Sequence, residues 1–247
     1  MQELKPDILV VINIDETEDP EKWILDDPCF DLVFLNYSSD KNFYIDLKKY
    51  GRYGQGVNVN VFDFSYGNLG KWKNISAYMR NQKIFDKDRY KYFWFPDPDL
   101  EMDKEDIWNF LMYCKANKLN LCQPALTYNS KGSHRFLMKQ GEGRREVTFV
   151  EVMCPFFSEQ ALIKNYWTFV LTHSGWGIDL VWGVENRCYV VDKYTIHHDR
   201  APSFNSRKPN HWPPAEDELL RIETMFNVHK KEMRENNMRF KNGLAKT

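Results

Sequence analysis

The chain has no C-x-x-C pair, no glycine-rich loop behind its first apolar run, no surplus of either charge and no apolar stretch long enough to cross a bilayer. Each absence removes a class. Five scattered cysteines (Cys29, Cys114, Cys122, Cys154 and Cys188) supply neither an even disulfide framework nor zinc-ligand spacing, so they read as reduced thiols of a cytoplasmic protein. With 34 Lys and Arg against 35 Asp and Glu, no global field recruits nucleic acid. The first apolar run, Ile8–Ile12, is too short for a signal-peptide core or a membrane span. No internal repeat or low-complexity tract is visible.

What is present is an alternation of strand-like and helix-like segments over 247 residues, enough for one large α/β domain. Asp7–Asp15 (DILVVINID) and Phe30–Tyr37 (FDLVFLNY) read as buried strands, and Val57–Ser65 alternates with period two. A turn, Ser65–Gly70, leads into a helix with Trp72, Ile75, Tyr78, Met79 and Ile84 on one face. YKYFWFP is the next strand; Asp103 then looks like an N-cap, with Asp106 completing a capping-box-like start. The helix behind it buries Ile107, Phe110, Leu111 and Cys114. LCQPAL, VTFVEVMCPFF and RCYVVDKYTIHH are further strands, and SEQALIKNYWTFVLTHS a capped helix. After a polar loop, Ala201–Pro214, comes a C-terminal amphipathic helix striped by Leu219, Ile222, Phe226 and Met233. This order predicts a mostly parallel central sheet with helices on both faces, and ligands beyond the carboxyl ends of its strands.

Asp97-Pro98-Asp99 stands at such an end. Turn chemistry alone explains Asp and Pro together. Yet two carboxylates straight after YFWF repel each other and lose hydration unless a cation meets them, and oxygen ligands suit Mg²⁺ or Mn²⁺. In HSGWGIDLVWG, Gly175 and Gly177 flank Trp176, with Asp179 two residues on. The pattern fits a helix C-terminus with a buried indole, or a sugar-stacking ring beside a proton-accepting carboxylate. His197 and His198 end the last strand; they face opposite ways, so one of them reaches the site, and His197 is the candidate to complete a carboxylate-bound metal. Gly67 and Gly70 with Lys71 at a helix start could meet an anion. The basic loop Thr127–Glu146 reads as an exposed loop, with a lid over phosphate as the alternative.

Taken as a set, GKWKN, YFWFPDPDLEMD, LCQPAL, FVEVMCPFFS, GWGIDLVWG and VVDKYTIHH resemble the GT-A glycosyltransferases. Within that fold the chain is similar to a family labelled in plants as lysine ketoglutarate reductase trans-splicing-related, which has bacterial relatives. The resemblance covers about half of the chain, from GKWKN to IHHD. It implies a single GT-A-like (Rossmann-like) catalytic domain over residues 1–200, with 201–247 as a loop and helix packed on it. It implies a metal-dependent transfer from a nucleoside-diphosphate sugar, most often UDP-linked, to a glycan or lipid-linked acceptor. Asp99 would hold Mn²⁺ or Mg²⁺ directly, and Asp97 the donor ribose or the metal's water shell. His197 would be a late metal or diphosphate ligand. Asp15 would hold the base or ribose, and Lys71 would lie near the donor. Asp179 would be the base of an inverting reaction, with Trp176 on a sugar. Pro98 stands where that family has an acidic residue, which removes a third carboxylate.

Two other readings compete. A nucleotidyltransferase shares the aspartate-held metal but needs a basic, glycine-rich loop after the first strand, where this chain has NIDETEDPEKW. A non-catalytic member would bind nucleotide or glycan without turnover. The Lys and Arg at the C-terminal end are what a helix dipole favours, with peripheral attachment to an anionic membrane as the alternative.

Overall fold

The computed structural model describes residues 6–38, 40, 43, 45, 59–63, 69–131, 134–200, 209–233 and 235. Its strands are β1 (Ile8–Ile14), β2 (Asp31–Asn36), β3 (Val59–Asp63), β4 (Tyr92–Trp94), β5 (Leu100–Glu101), β6 (Leu121–Leu126), β7 (Arg144–Val147), β8 (Phe156–Ser158) and β9 (Cys188–His198). The helices are α1 (Lys71–Asn81), α2 (Lys104–Ala116), α3 (Glu159–Asn165), α4 (Ile178–Glu185) and α5 (Ala215–Phe226). The strands form one sheet in the order β3-β2-β1-β4-β8-β6-β9-β5, with β7 also on β9.

Direction follows from the pairings. β1, β2, β3 and β4 are parallel; β8 is antiparallel to both β4 and β6, so β6 and its parallel neighbour β9 run with β4. Among the described strands six of nine therefore run one way, but four of the eight pairings are antiparallel, so the sheet is mixed; β1 and β2 are buried along their whole length, as strands covered on both faces require. Trp94 packs against Trp23 and Phe110 on one face, while Phe95 packs against Trp72 and Phe169 on the other.

Several segments differ from expectation. The run VTFVEVMCPFF is not one strand: β7 ends at Val147, residues 148–155 are irregular, and β8 begins at Phe156. β7 also takes in the end of the loop expected over Thr127–Glu146. Asp103 does sit at the N-cap of α2, yet its side chain makes no capping hydrogen bond, so no capping box forms. Ser158 does cap α3, accepting from the Ala161 amide at 3.2 Å, but the α-helix ends at Asn165 and continues as a 3₁₀ turn. The C-terminal helix stops at Phe226, where Asn227 turns left-handed at φ 51°; the expected stripe still meets the small core around Ile222, Leu180 and Phe149, with Leu219, Phe226 and Met233 packed against it and Val228 buried in it. Gly67, the ends of the Val57–Ser65 strand, Ala201–Lys208 and the basic tail after residue 235 lie outside the described residues. Among the described residues, no helix is long and apolar enough to cross a membrane, and all five cysteines are free thiols.

Candidate active site

Four parallel strands bring polar residues to one edge of the sheet. Asp15 follows β1, Tyr37 follows β2, Asp97 lies three residues beyond β4, and His198 ends β9. The carboxyl edge of a parallel sheet is open because each chain leaves there for a crossover, so polar groups collect without burying unpaired charge.

Asp97 is fixed by two contacts. Its amide donates to the Met153 carbonyl at 2.6 Å, and its carboxylate accepts from Lys71 Nζ at 2.6 Å. The same ammonium donates to the carbonyls of Phe95 (2.7 Å), Val152 (2.8 Å) and Met153 (3.2 Å). Protein oxygens saturate it, so Lys71 is a strut that joins the end of β4 to the irregular 152–153 segment beneath Asp97. Burial pushes the Asp97 carboxyl up, the Lys71 charge opposes that, and neighbouring Asp99 adds to it.

Asp99 stands in the opposite electrostatic state. Burial alone would raise its carboxyl, but His198 and then Arg200 outweigh it and hold it below the usual range. His198 Nε2 is 3.6 Å and Arg200 Nη1 3.9 Å from Asp99 Oδ2. Arg200 is tied in turn to Glu18 behind β1. The agent is β5, which pairs Leu100 with His198 and Glu101 with His197, folding the Asp97–Asp99 turn back onto the end of β9.

The imidazole at Asp99 is thus His198. His197 points elsewhere: its Nδ1 meets Thr127 Oγ1 at 2.7 Å and Ser130 Oγ at 3.4 Å, fastening the loop after β6. The physical reason lies upstream in β9. Its register against β6 jumps from Pro124↔Val191 to Ala125↔Thr195, so β9 gains three residues over β6. An odd insertion inverts which alternate residues face the site. Asp192, inside that bulge, accepts from the Gln140 amide and Arg145 Nε.

At the far end of the edge, Asp15 Oδ1 accepts from the Thr17 amide and hydroxyl at 3.0 and 2.6 Å, and its carboxylate also meets the Tyr37 hydroxyl. Burial, then the Asp15 charge and hydrogen bond, push that phenol well above its ordinary range.

Trp176 and Asp179 form a second group. The two glycines open a helix rather than close one: Gly177 is the left-handed N-cap of α4 at φ 91°, and a Cβ there would lie 2.9 Å from Ile222 Cβ on α5. Gly175, at φ 81°, is pressed against the Trp72 ring and Val152, next to the carbonyl that Lys71 holds. α5 locks this turn through buried Glu218, whose two oxygens accept from the His173 and Ser174 amides at 2.8 Å each. Trp176 is half-buried beneath Lys230, whose Nζ lies 5.4 Å from the ring centroid. Asp179, buried in the first turn of α4, is pushed by burial up to about 6, against the pull of Lys230 and the Leu180 amide.

No group of three His, Cys, Asp or Glu able to hold a metal occurs among the described residues. The donor set is Asp99 and His198, one carboxylate and one imidazole, with Asp97 held by Lys71. That set fits a divalent ion taking its remaining ligands from a diphosphate and water, as Mg²⁺ does with one or two carboxylates. It does not fit an all-protein cage.

Sequence reasoning named Asp97, Asp99 and Asp15, and the structure brings them to one edge. It missed His198, Tyr37, Arg200 and Glu18. The sequence HHDR carried part of that signal, since a residue two places past a strand end stays at its rim.

No protein-family model matches the chain, and no curated protein matches it. Solved structures do. S. aureus TarS 1-349 superposes with a TM-score of 0.55 at 15% identity, over 80% of this chain and 61% of that one. The same fragment in complex with UDP-GlcNAc gives 0.54 at 13% identity, over 95% and 76%. GalNAc-T7 with UDP, GalNAc and Mn²⁺ gives 0.56 at 10% identity, over 91% and 48%. The fold is that of the GT-A glycosyltransferases. The chain spans about three fifths of TarS 1-349 in the first of these superpositions, and about half of GalNAc-T7.

Proposed function

We propose that the protein is a glycosyltransferase that moves a sugar from a UDP-linked donor to a glycan or lipid-linked acceptor with inversion, using Mn²⁺ or Mg²⁺. The observation that carries this reading is the meeting of Asp97, Asp99, His198 and Arg200 at the edge where Asp15 and Tyr37 end β1 and β2. Similarity to structures that hold UDP, UDP-GlcNAc or Mn²⁺ supports it. The narrower likeness to the trans-splicing-related family belongs to this proposal too.

Asp99 and His198 would hold the divalent ion, and a metal bound there supplies Lewis-acid stabilisation to a departing diphosphate. Arg200, charged and adjacent, adds a cation on the same side. Asp97, positioned by Lys71, and Asp15 with Tyr37 would orient the ribose and base. Asp179 would take the acceptor's proton. In that step the acceptor oxygen forms a bond to the anomeric carbon and the bond from that carbon to the phosphate oxygen breaks. The electron pair leaves on the diphosphate, and the hydroxyl proton passes to the Asp179 carboxylate. A carboxyl near 6 is ionised at neutral pH and is a stronger base than an exposed aspartate, which suits this task. Trp176 beside it offers a ring face to a sugar.

The test is release of UDP from a panel of UDP-sugars with Mn²⁺. Release that stops in Asp99→Ala supports the reading. Mn²⁺-dependent UDP binding with no release from any donor, even with oligosaccharide acceptors, would leave a nucleotide-binding protein in its place.

A further inference from the structure

Six of the nine large apolar or aromatic side chains that the described residues expose lie on α3, its 3₁₀ continuation, α4 and α5. Exposed apolar residues scattered singly need no explanation, but a concentration of this kind does. Ile163, Trp167 and Val170 are 57%, 48% and 54% exposed, and their spacing of four and then three residues sets them in one row along α3 and the turn that extends it. Trp167 meets Phe226 at the end of α5, ring centroids 5.4 Å apart, and still leaves half of its surface to solvent.

Beside this row lies a basic cleft. Gln160 and Lys164, one turn apart on α3, line a cavity of about 360 Å³ where β6 and β9 begin, at the opposite end of those strands from His198. Lys118, Arg144 and Arg187 line it too, against one carboxylate, Glu185. Lys164 pairs with that carboxylate at 2.8 Å and donates to the Glu185 carbonyl at 2.7 Å. The contact clips α3 to the end of α4, one residue from Ile163 and one residue from Val184, which is 61% exposed. Arg187 is paired with Glu146 at 2.6 Å, whereas Lys118 and Arg144 form no ion pair among the described residues. Arg144 Nη1 donates to Asn117 Oδ1 at 3.3 Å, and its guanidinium lies 5.4 Å from the centre of the Tyr189 ring, with that of Arg187 5.9 Å from the same ring. Stacking of this kind holds both guanidinium forks at the cleft before any ligand arrives.

We propose that this face binds a lipid surface with anionic phosphate headgroups. The cleft takes the headgroup phosphates, and Ile163, Trp167, Val170 and Val184 enter the boundary between headgroups and acyl chains. An anionic bilayer offers phosphate and hydrocarbon side by side, and both a cation near its surface and an apolar side chain within it add to binding. Tryptophan suits that boundary, because its ring is apolar and its N–H polar. A small phosphorylated molecule would fill the cleft and leave the apolar row exposed. A second copy, meeting this one face to face, would bring the same uncompensated cations to the contact. The inference does not depend on the nucleotide-sugar reading, and it uses residues other than the basic C-terminal end.

Sedimentation of the full chain with vesicles, in EDTA and without nucleotide, tests this. The wild type should pellet with phosphatidylglycerol vesicles and stay in solution with phosphatidylcholine vesicles, and high salt should release it. Lys118→Gln and Arg144→Gln should each weaken binding about fivefold, the worth of one charge beside an anionic surface. Ile163→Ser and Val184→Ser, both at exposed positions, should weaken it by a similar factor with the melting temperature unchanged. Lys104→Gln, at the far end of α2 from Lys118, should have no effect. If the charge variants alone lose binding, inorganic phosphate competes and both serine variants bind like the wild type, the cleft is a site for soluble phosphate and the lipid surface is overturned. Equal binding to both lipids, or binding to neither, overturns it as well. Self-association in analytical ultracentrifugation that Ile163→Ser abolishes would make the row a contact between copies and likewise overturn it.

Discussion

At the carboxyl edge of β1–β4, carboxylates stand at open strand termini, and three of them face basic side chains: Asp97 faces Lys71, Asp99 faces His198 and Arg200, and Glu18 faces Arg200, while Asp15 is held by Thr17 and Tyr37. At the α4 end a single carboxylate, Asp179, is largely buried, and burial more than pairing sets its protonation. The first arrangement keeps charge and suits holding a charged ligand. The second raises a pKa and suits moving a proton. The two ends also differ in what supports them. The charged end is built on sheet register, whereas the α4 end depends on a helix more than 30 residues further along the chain, through Glu218 and Ile222.

Substitutions should separate the ends. The largest effect falls on ligand binding at the charged end: Asp99→Ala should lower Mn²⁺-dependent UDP affinity well over tenfold, each tenfold being about 1.4 kcal/mol, with circular dichroism unchanged. Calorimetry reads the affinity, and an unchanged value would return the Asp97–Asp99 stretch to turn chemistry. Next is stability at the other end. Glu218→Ala strips two buried charge-assisted hydrogen bonds from the His173–Ser174 turn and should cost about 3 kcal/mol in denaturant unfolding. Because Glu218 does not touch Asp97 or Asp99, the refolded variant should still bind UDP.

Asp179 gives a pH signature of the opposite sign to a salt-bridged carboxylate. Its folded pKa, about 6, lies above the ordinary aspartate value of 3.8, so the folded state binds the extra proton between those values. Stability is fully present below about 4, falls as pH rises towards 6 and is flat beyond. Asp179→Asn should therefore leave stability unchanged at pH 4, raise it by up to a few kcal/mol at pH 7 and abolish transfer. Equal melting shifts at both pH values would contradict the burial-raised carboxylate. The smallest effect separates the two histidines: His198→Ala should weaken Mn²⁺-dependent UDP binding, and His197→Ala should change it by no more than about twofold, since its ring is turned towards Thr127.

The charged end was largely legible in the sequence. A short apolar strand that runs into two aspartates forces them to a sheet edge, and the acid after Ile14 shares that edge by the same logic. The identity of the histidine was not legible, because a three-residue bulge between Val191 and Thr195 inverts the alternation on which parity depends. In the sequence Tyr37 is only the end of a strand; its meeting with Asp15 comes from the adjacency of β1 and β2, a tertiary fact. At the α4 end, GWGID announced a tight turn, but whether it closed or opened a helix depended on Gly177 meeting Ile222, 45 residues away. Lys71 lies beside Asp97 at the end of β4, yet no sequence pattern shows that three carbonyls and a carboxylate already occupy its ammonium.

The central claim is that this edge holds a nucleoside diphosphate through a divalent ion. Titration of UDP into the protein, with and without Mn²⁺, measures it directly. The account predicts saturable heat with Mn²⁺ and little or none after chelation, together with a rise in melting temperature that follows the same metal dependence. Equal UDP binding in the presence and absence of metal, or a response to nucleoside triphosphates alone, would contradict it.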